Sequence, residues 1–502
     1  MRLLAAAVLT YIAMSLYMGL SLPGLQNDEA IYEHGAVALM TGDRTPGFVR
    51  EDHTWIHIGG RFVPLMVISY AGAAKHYLLI VPFAIFGTAP VVGRVVSMLL
   101  GAIGIFGIGR ALQVHAGNST GAAAAFLLAI HPEYVGWTIY DNAGTALWMA
   151  NVGLLALALS RFANRKDKAS SFLAGLAIGF VVWGRVNFVW VLAGIAVAAL
   201  VAVRGSFARV RWPALLAGSL AGAAPLILFE LLSHFATRRF PGQPLSAPLI
   251  WTRFHYALSA LAYDGERAGM WGGAAAPAWQ AAVFGVVVAA SIVFLWRAPA
   301  TDRAARIGRA AGIASIVAYA LALLTPLPVN PHHLAALLPL PAMTVVMAAA
   351  RLARTSRLSV AILAAAYLFF ALSWNRIAHD GLAATRGVGM WSSAISDVSN
   401  TLLRTAHGRE VRIVDWGLCN NVYVLTRARV PLREIFWRPV NWLDLVRPGG
   451  LFLVNAPGNI DFPEPARQFH QALEETGAKY SVTTFRQANG AEYARLYDVQ
   501  QP

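Results

Sequence analysis

Charge is scarce in this 502-residue chain. Asp, Glu, Lys and Arg make up 13% of it, against about 25% in an ordinary soluble protein. The chain is 57% hydrophobic, and its mean hydropathy is +0.55. So little polar surface excludes a string of soluble domains for most of its length. Cysteine is nearly absent as well. The single Cys419 excludes an intramolecular disulfide framework and any cysteine-based zinc site. There is no Walker A loop, no Gly-rich dinucleotide fingerprint after a strand and no HExxH. A soluble nucleotide cofactor is therefore not indicated.

Long apolar runs are abundant. Eleven fall near 3–22, 92–109, 120–138, 142–160, 169–184, 188–203, 213–232, 279–296, 310–325, 334–350 and 358–374. Most are long enough, or nearly so, for the roughly 30 Å of a bilayer core. The expected fold is a polytopic α-helical membrane protein of about eleven transmembrane helices. Met1–Leu22 also fits a cleaved signal peptide. The run is long for that role and no small-x-small site follows it, which favours a retained first span.

The net charge of +15 is compatible with nucleic-acid binding until it is placed. With a cytoplasmic N-terminus and alternating sides, the inner connections hold 16 Lys and Arg against only Asp167 and Asp302. The short outer connections around 139–141 and 326–333 hold none. This is the positive-inside pattern, so the charge reports topology and no nucleic acid is expected. Residues 1–374 form the membrane domain, with outer segments at 23–91 and 233–278. Residues 375–502 carry 14 basic and 12 acidic residues and fall on the same outer side. Strand-like runs at Val411–Val414 and Leu451–Val454, and a helical run at Pro463–Thr476, mark a small extracytoplasmic α/β domain. The implied location is the plasma (inner) membrane, with the tail facing the periplasm or exterior.

Several polar residues reach that outer face. Asp28 and Glu29 follow the first span, and Asp28–Met40 has helical periodicity with Glu29 and Glu33 on one side. His76–Phe86 reads as a second helix lying at the membrane surface. Asn27 or Asp28 suits a helix cap, and Asp28 equally suits a general base or metal ligand. Asp141 separates the third and fourth spans, as a cap or as a partner of Asp28. Lys75 is the only lysine outside the inner loops and the tail. It either snorkels to head groups or meets a phosphate. Arg94 and Arg185 lie near the same face, Arg185 in a tight reversal between apolar runs. His332 and His333 open the tenth span as loop residues, phosphate contacts or one metal ligand. Adjacent helical histidines point about 100° apart, which disfavours one metal for both. Glu230 and His234, four apart, are a weak metal pair on one helix face.

In order and sidedness these features resemble the GT-C superfamily of membrane glycosyltransferases. The closest pattern is the branch of lipid A aminoarabinose transferases, protein O-mannosyltransferases and Rgt-like galacturonosyl transferases. Asp28-Glu29 with Tyr32 is similar to the family's Asp-Glu signature. Lys75-His76-Tyr77-Leu78, Phe86-Gly87 and Arg94 resemble its Lys-Pro-Pro-Leu … Phe-Gly … Arg stretch. His131-Pro132 followed by Asp141 resembles its Pro … Asp segment. The two prolines are His76 and Tyr77 here, and Ala74 stands where some members carry an acidic metal contact.

The resemblance implies sugar transfer from a polyprenyl-phosphate donor to a lipid, glycan or protein acceptor, by single displacement. Asp28 would be the base, supported by Glu29 and Asp141. Lys75, with Arg94, Arg185, His332 and His333, would hold the donor phosphate. No cofactor is implied with certainty, and a divalent metal ion stays open. Two other classes compete. A lipid or glycan transporter needs intramembrane charges along a path, and these are scarce. A non-catalytic envelope-assembly protein accounts for the tail but not for the convergence of Asp28, Lys75 and Asp141.

Overall fold

A computed structural model describes residues 1–42, 54–165, 167–202, 210–239, 242–299, 301–437 and 439–500. Lys166, Arg204 and Arg209 of the inner-loop count lie outside the described residues. The molecule is mostly helical. Among the described residues five helices are long and apolar enough to cross a membrane: Pro90–Ala116, Thr145–Arg165, Ala278–Trp296, Arg303–Leu324 and Arg357–Thr385. Trp212–Gly222 and Ala224–Leu232 make a sixth if the pair, bent by 62°, is one span.

The remaining five expected spans fall on shorter apolar helices, so length alone supports five or six crossings among the described residues. The shortfall has local causes. Arg2–Met18 stops at Gly19, whose φ of 85° leaves the helical region. Pro132 has no N–H to continue the ladder, so Asn118–Ile130 ends at His131 and Pro132–Ile139 begins anew. The run at 334–350 is likewise split between Pro331–Ala335 and Pro339–Leu352.

The periodic stretch at 28–40 is two helices, Asn27–Ile31 and His34–Thr41, broken at Tyr32-Glu33. The surface helix expected at 76–86 runs Ala74–Phe86. In the tail, Arg357–Thr385 passes straight through the boundary expected at 375, and the chain leaves the helical bundle after Thr385. A five-stranded sheet follows, in the order Leu432–Glu434, Val411–Ile413, Leu451–Asn455, Glu492–Val499, Tyr480–Arg486. Its first three strands are parallel and the other pairings antiparallel. Both runs read as strands lie in it, and Pro463–Thr476 is a helix packed on it through Phe469.

The tail shares one apolar core with the outer segment. Leu25, Ala30, Ala36, Leu79 and Phe83 pack with Ile395, Leu418, Cys419 and Val422. Asn420 Nδ2 donates to Asn27 Oδ1 at 3.0 Å, and Asn421 Nδ2 to the Leu25 carbonyl at 3.2 Å. The tail thereby fixes the backbone on either side of Gln26, just ahead of Asp28.

Candidate active site

The helix Asn27–Ile31 is capped by neither Asn27 nor Asp28. Gln26 takes that place, its Oε1 accepting the N–H of Asp28 and, at 3.2 Å, that of Glu29. Asp28 therefore stands in the first turn, half-buried, while Glu29, Glu33, Lys75, Arg94 and Asp141 are fully buried.

Arg94 does something other than wait for a phosphate. Its Nε and Nη2 donate to the two Glu29 oxygens at 2.7 and 2.8 Å. Nη1 donates to the carbonyls of Leu20 and Pro23, and Nη2 also to Gly24. A guanidinium has five N–H groups, and five bonds are made. Arg94 thus has no donor left for a phosphate, and Glu29 has no oxygen free of Arg94. The pair pins residues 20–29 to the start of the helix Pro90–Ala116.

The break at Tyr32-Glu33 sends Glu33 elsewhere. It lies against Gly93, where a Cβ would stand 1.9 Å from Oε1, so glycine is what admits the carboxyl. Lys75 Nζ is 3.8 Å from Glu33 Oε1 and 2.5 Å from Asp141 Oδ2. Among the described residues neither Glu33 oxygen has a hydrogen-bond partner. Burial pushes the Glu33 carboxyl up to about 8, against the pull of Lys75. Burial also works against the Lys75 ammonium, but Asp141 and Glu33 outweigh it and hold its pKa above the ordinary lysine value. Asp141 is built to meet Lys75. Its φ of 30° is left-handed, a conformation costing roughly 1–2 kcal/mol per residue, and its Oδ1 accepts the Ala146 N–H at 2.6 Å.

Arg185 and the histidines complete the ring. The Arg185 guanidinium lies over Tyr70 and Trp148, 5.8 and 5.7 Å from the ring centres. Its charge acts on Tyr32, Asp141 and His333. Tyr32 packs on Gly144, whose φ of 73° bends the chain around the ring. His332 Nδ1 is 2.9 Å from both Glu266 oxygens, and Asn142 Nδ2 donates to Glu266 at 2.8 Å. His333 Nδ1 accepts the Asn330 N–H at 2.9 Å. Burial, with His332 and Arg185, pushes its imidazole well down. The two rings do not splay apart: the helix Pro331–Ala335 is short, and their centres are 4.2 Å apart.

Glu230 and His234 do not share a helix face. The helix ends at Leu232, His234 has a left-handed φ of 52°, and Glu230 accepts the Thr237 hydroxyl. Among the described residues no three His, Cys, Asp or Glu side chains come together as a metal-donor set.

Two sets of carboxylates escaped sequence reasoning. Glu33 was grouped with Glu29 by helical spacing. Glu133 and Asp264 are both buried, with Trp137 Nε1 donating to Glu133 at 2.7 Å and to Asp264 at 3.3 Å. Asp264 caps the short helix Gly265–Gly269 that carries Glu266, and Glu133, an acid inside an apolar run, was the readable signal.

No protein-family model matches the sequence, and no curated protein matches it. Solved structures do match by fold. The chain is similar to ArnT from Cupriavidus metallidurans bound to undecaprenyl phosphate, with TM-score 0.63 and 14% identity over 99% of this chain and 97% of that one. The apo state of that protein gives TM-score 0.61 at 14% identity over the same shares. The Archaeoglobus fulgidus oligosaccharyltransferase, tethered with an acceptor peptide containing the NVT sequon, gives TM-score 0.52 and 15% identity over 96% of this chain and 68% of that one. Both neighbours are GT-C superfamily membrane glycosyltransferases, and at this identity the likeness is one of fold.

Proposed function

We propose that this protein is a membrane glycosyltransferase. It moves a hexosyl or pentosyl group from a polyprenyl-phosphate donor to an envelope lipid, glycan or protein. The observation that carries the reading is the difference among the outer-face carboxylates. Glu29 is consumed by Arg94, and Glu33 and Asp141 are buried around Lys75. Of the carboxylates around Arg94 and Lys75, Asp28 alone is half-buried, where an acceptor hydroxyl can reach it.

The acceptor O–H gives its proton to Asp28 as its oxygen bonds the anomeric carbon. The bond from that carbon to the phosphate oxygen breaks, its electron pair leaves on the phosphate, and the anomeric centre inverts. Lys75, aimed by Asp141, and Arg185 take up the charge developing on the phosphate. His332 and His333 shape the far side of the pocket. Glu29 and Arg94 hold the short helix that carries Asp28. The positive-inside count and the shared core of tail and outer segment support a periplasmic or exterior site on an inner-membrane protein.

The test is transfer itself. Membranes containing the protein, given a polyprenyl-phosphate sugar labelled in the sugar, should yield labelled lipid, glycan or protein. Movement of the intact donor across the bilayer with no transfer would identify a transporter, and neither activity would favour an assembly role.

A further inference from the structure

Glu33 has no task in the chemistry above, yet it is a fully buried carboxyl with no hydrogen bond to either oxygen among the described residues. A buried polar group left in this state is costly, and an apolar side chain would fill the space at less cost. The charged groups around it come from every neighbouring element. Glu29 lies on the helix before it, and Arg94, closed on Glu29, on the helix across it. Lys75 lies 3.8 Å away on the helix Ala74–Phe86, and Asp141 on the turn beyond Lys75. His34 follows it in the chain. His76, next to Lys75, is held near 4 by burial, with Lys75 adding to the shift, and is neutral above that.

We infer, resting on the donor site proposed above, that Glu33 is a positioning residue acting through Lys75: its proton sets how much of the lysine's charge is available to an anionic phosphodiester. The Arg94–Glu29 pair cancels itself, Lys75 offsets Asp141 and Arg185 offsets Asp28 in the count, so the net charge of the pocket turns on Glu33. With Glu33 neutral, Lys75 faces one carboxylate. With Glu33 ionised it faces two, and an incoming phosphodiester meets a net negative pocket with a second carboxylate beside the lysine it needs. Glu33 is the member able to switch in the working range, since burial places its carboxyl at about 8 while Lys75 is shifted further from it. Its proton is retained at neutral pH and lost in mild alkali, so donor affinity should fall as pH rises.

The experiment measures binding of a polyprenyl methyl phosphodiester to the full-length protein in detergent from pH 6 to 10. This probe carries one charge throughout. Wild-type Kd should be flat below about pH 7 and rise above the Glu33 midpoint, at most roughly tenfold per pH unit for one proton. Glu33→Gln keeps the shape of the protonated acid, so it should fold, bind as tightly as the wild type at pH 6, and lose the alkaline rise. A role in packing alone would not move the pH profile. A wild-type Kd independent of pH, or an alkaline rise that persists in Glu33→Gln, overturns the assignment of Glu33. Binding by neither protein at any pH overturns the donor site itself, and the role of Glu33 with it.

Discussion

Two ion-pair regions lie side by side on the outer face, one around Arg94 and one around Lys75. Both cations are fully buried and both face carboxylates. Around Arg94 every N–H has an acceptor and both Glu29 oxygens are taken. Around Lys75 the balance is incomplete: the ammonium is shared between Asp141 and Glu33, and Glu33 is left unsatisfied. A saturated network rigidifies, whereas an unsatisfied buried group is the mark of a site that meets something else. The same segment, 23–42, therefore carries a structural clamp and one wall of the proposed donor site four residues apart.

Substitutions separate the two. Lys75→Ala should lower transfer by about 100- to 1,000-fold, as loss of one preorganised electrostatic group does. It should also destabilise the fold, because Asp141 and Glu33 then stay buried without a cation. Adding Asp141→Asn to Lys75→Ala should recover thermal stability in detergent but no transfer. Recovery of both would make the lysine structural. Arg94→Ala should act in the other order. Breaking a buried pair costs about 3–5 kcal/mol, read as lost yield and a lower melting temperature, and whatever protein folds should retain donor affinity. The smallest effect expected is at Asn420→Ala, which removes one hydrogen bond to Asn27. About 1 kcal/mol of stability and a modest loss of transfer should follow, as residues 25–27 loosen. An effect as large as that of Lys75→Ala would place the tail in the chemistry.

Much of this was legible in the residues, and the rest was not, for reasons that can be named. Charge placement and apolar runs located the five described helices that are long enough to cross a membrane. Length could not be read as reliably, because Pro132 and Pro339 cut apolar stretches that hydropathy alone shows as continuous. Lys75, Asp141 and Asp28 stood out through chain order and sidedness. Arg94 stood out equally and serves another purpose, since nothing in the sequence tells that Leu20, Pro23 and Gly24 turn their carbonyls toward it. Glu33 was hidden by periodicity. Four residues from Glu29, it belonged to the same helix face only if the helix continued, and the break at Tyr32-Glu33 turns the two acids to different cations. Three cations, Lys75, Arg94 and Arg185, near four acids, Asp28, Glu29, Glu33 and Asp141, was the countable hint that one carboxyl would be left over.

The division of labour among these carboxylates rests on Asp28 being the base. Asp28→Asn keeps the size of the side chain and disturbs no cap, because Gln26 supplies it. The decisive measurement is sugar transfer from a polyprenyl-phosphate donor in membranes with matched amounts of wild type and Asp28→Asn. The account predicts normal insertion and donor binding with transfer reduced by at least about 100-fold, as for a general base. Near-wild-type transfer by Asp28→Asn would contradict it and return Asp28 to an acidic residue in the first turn of a short helix.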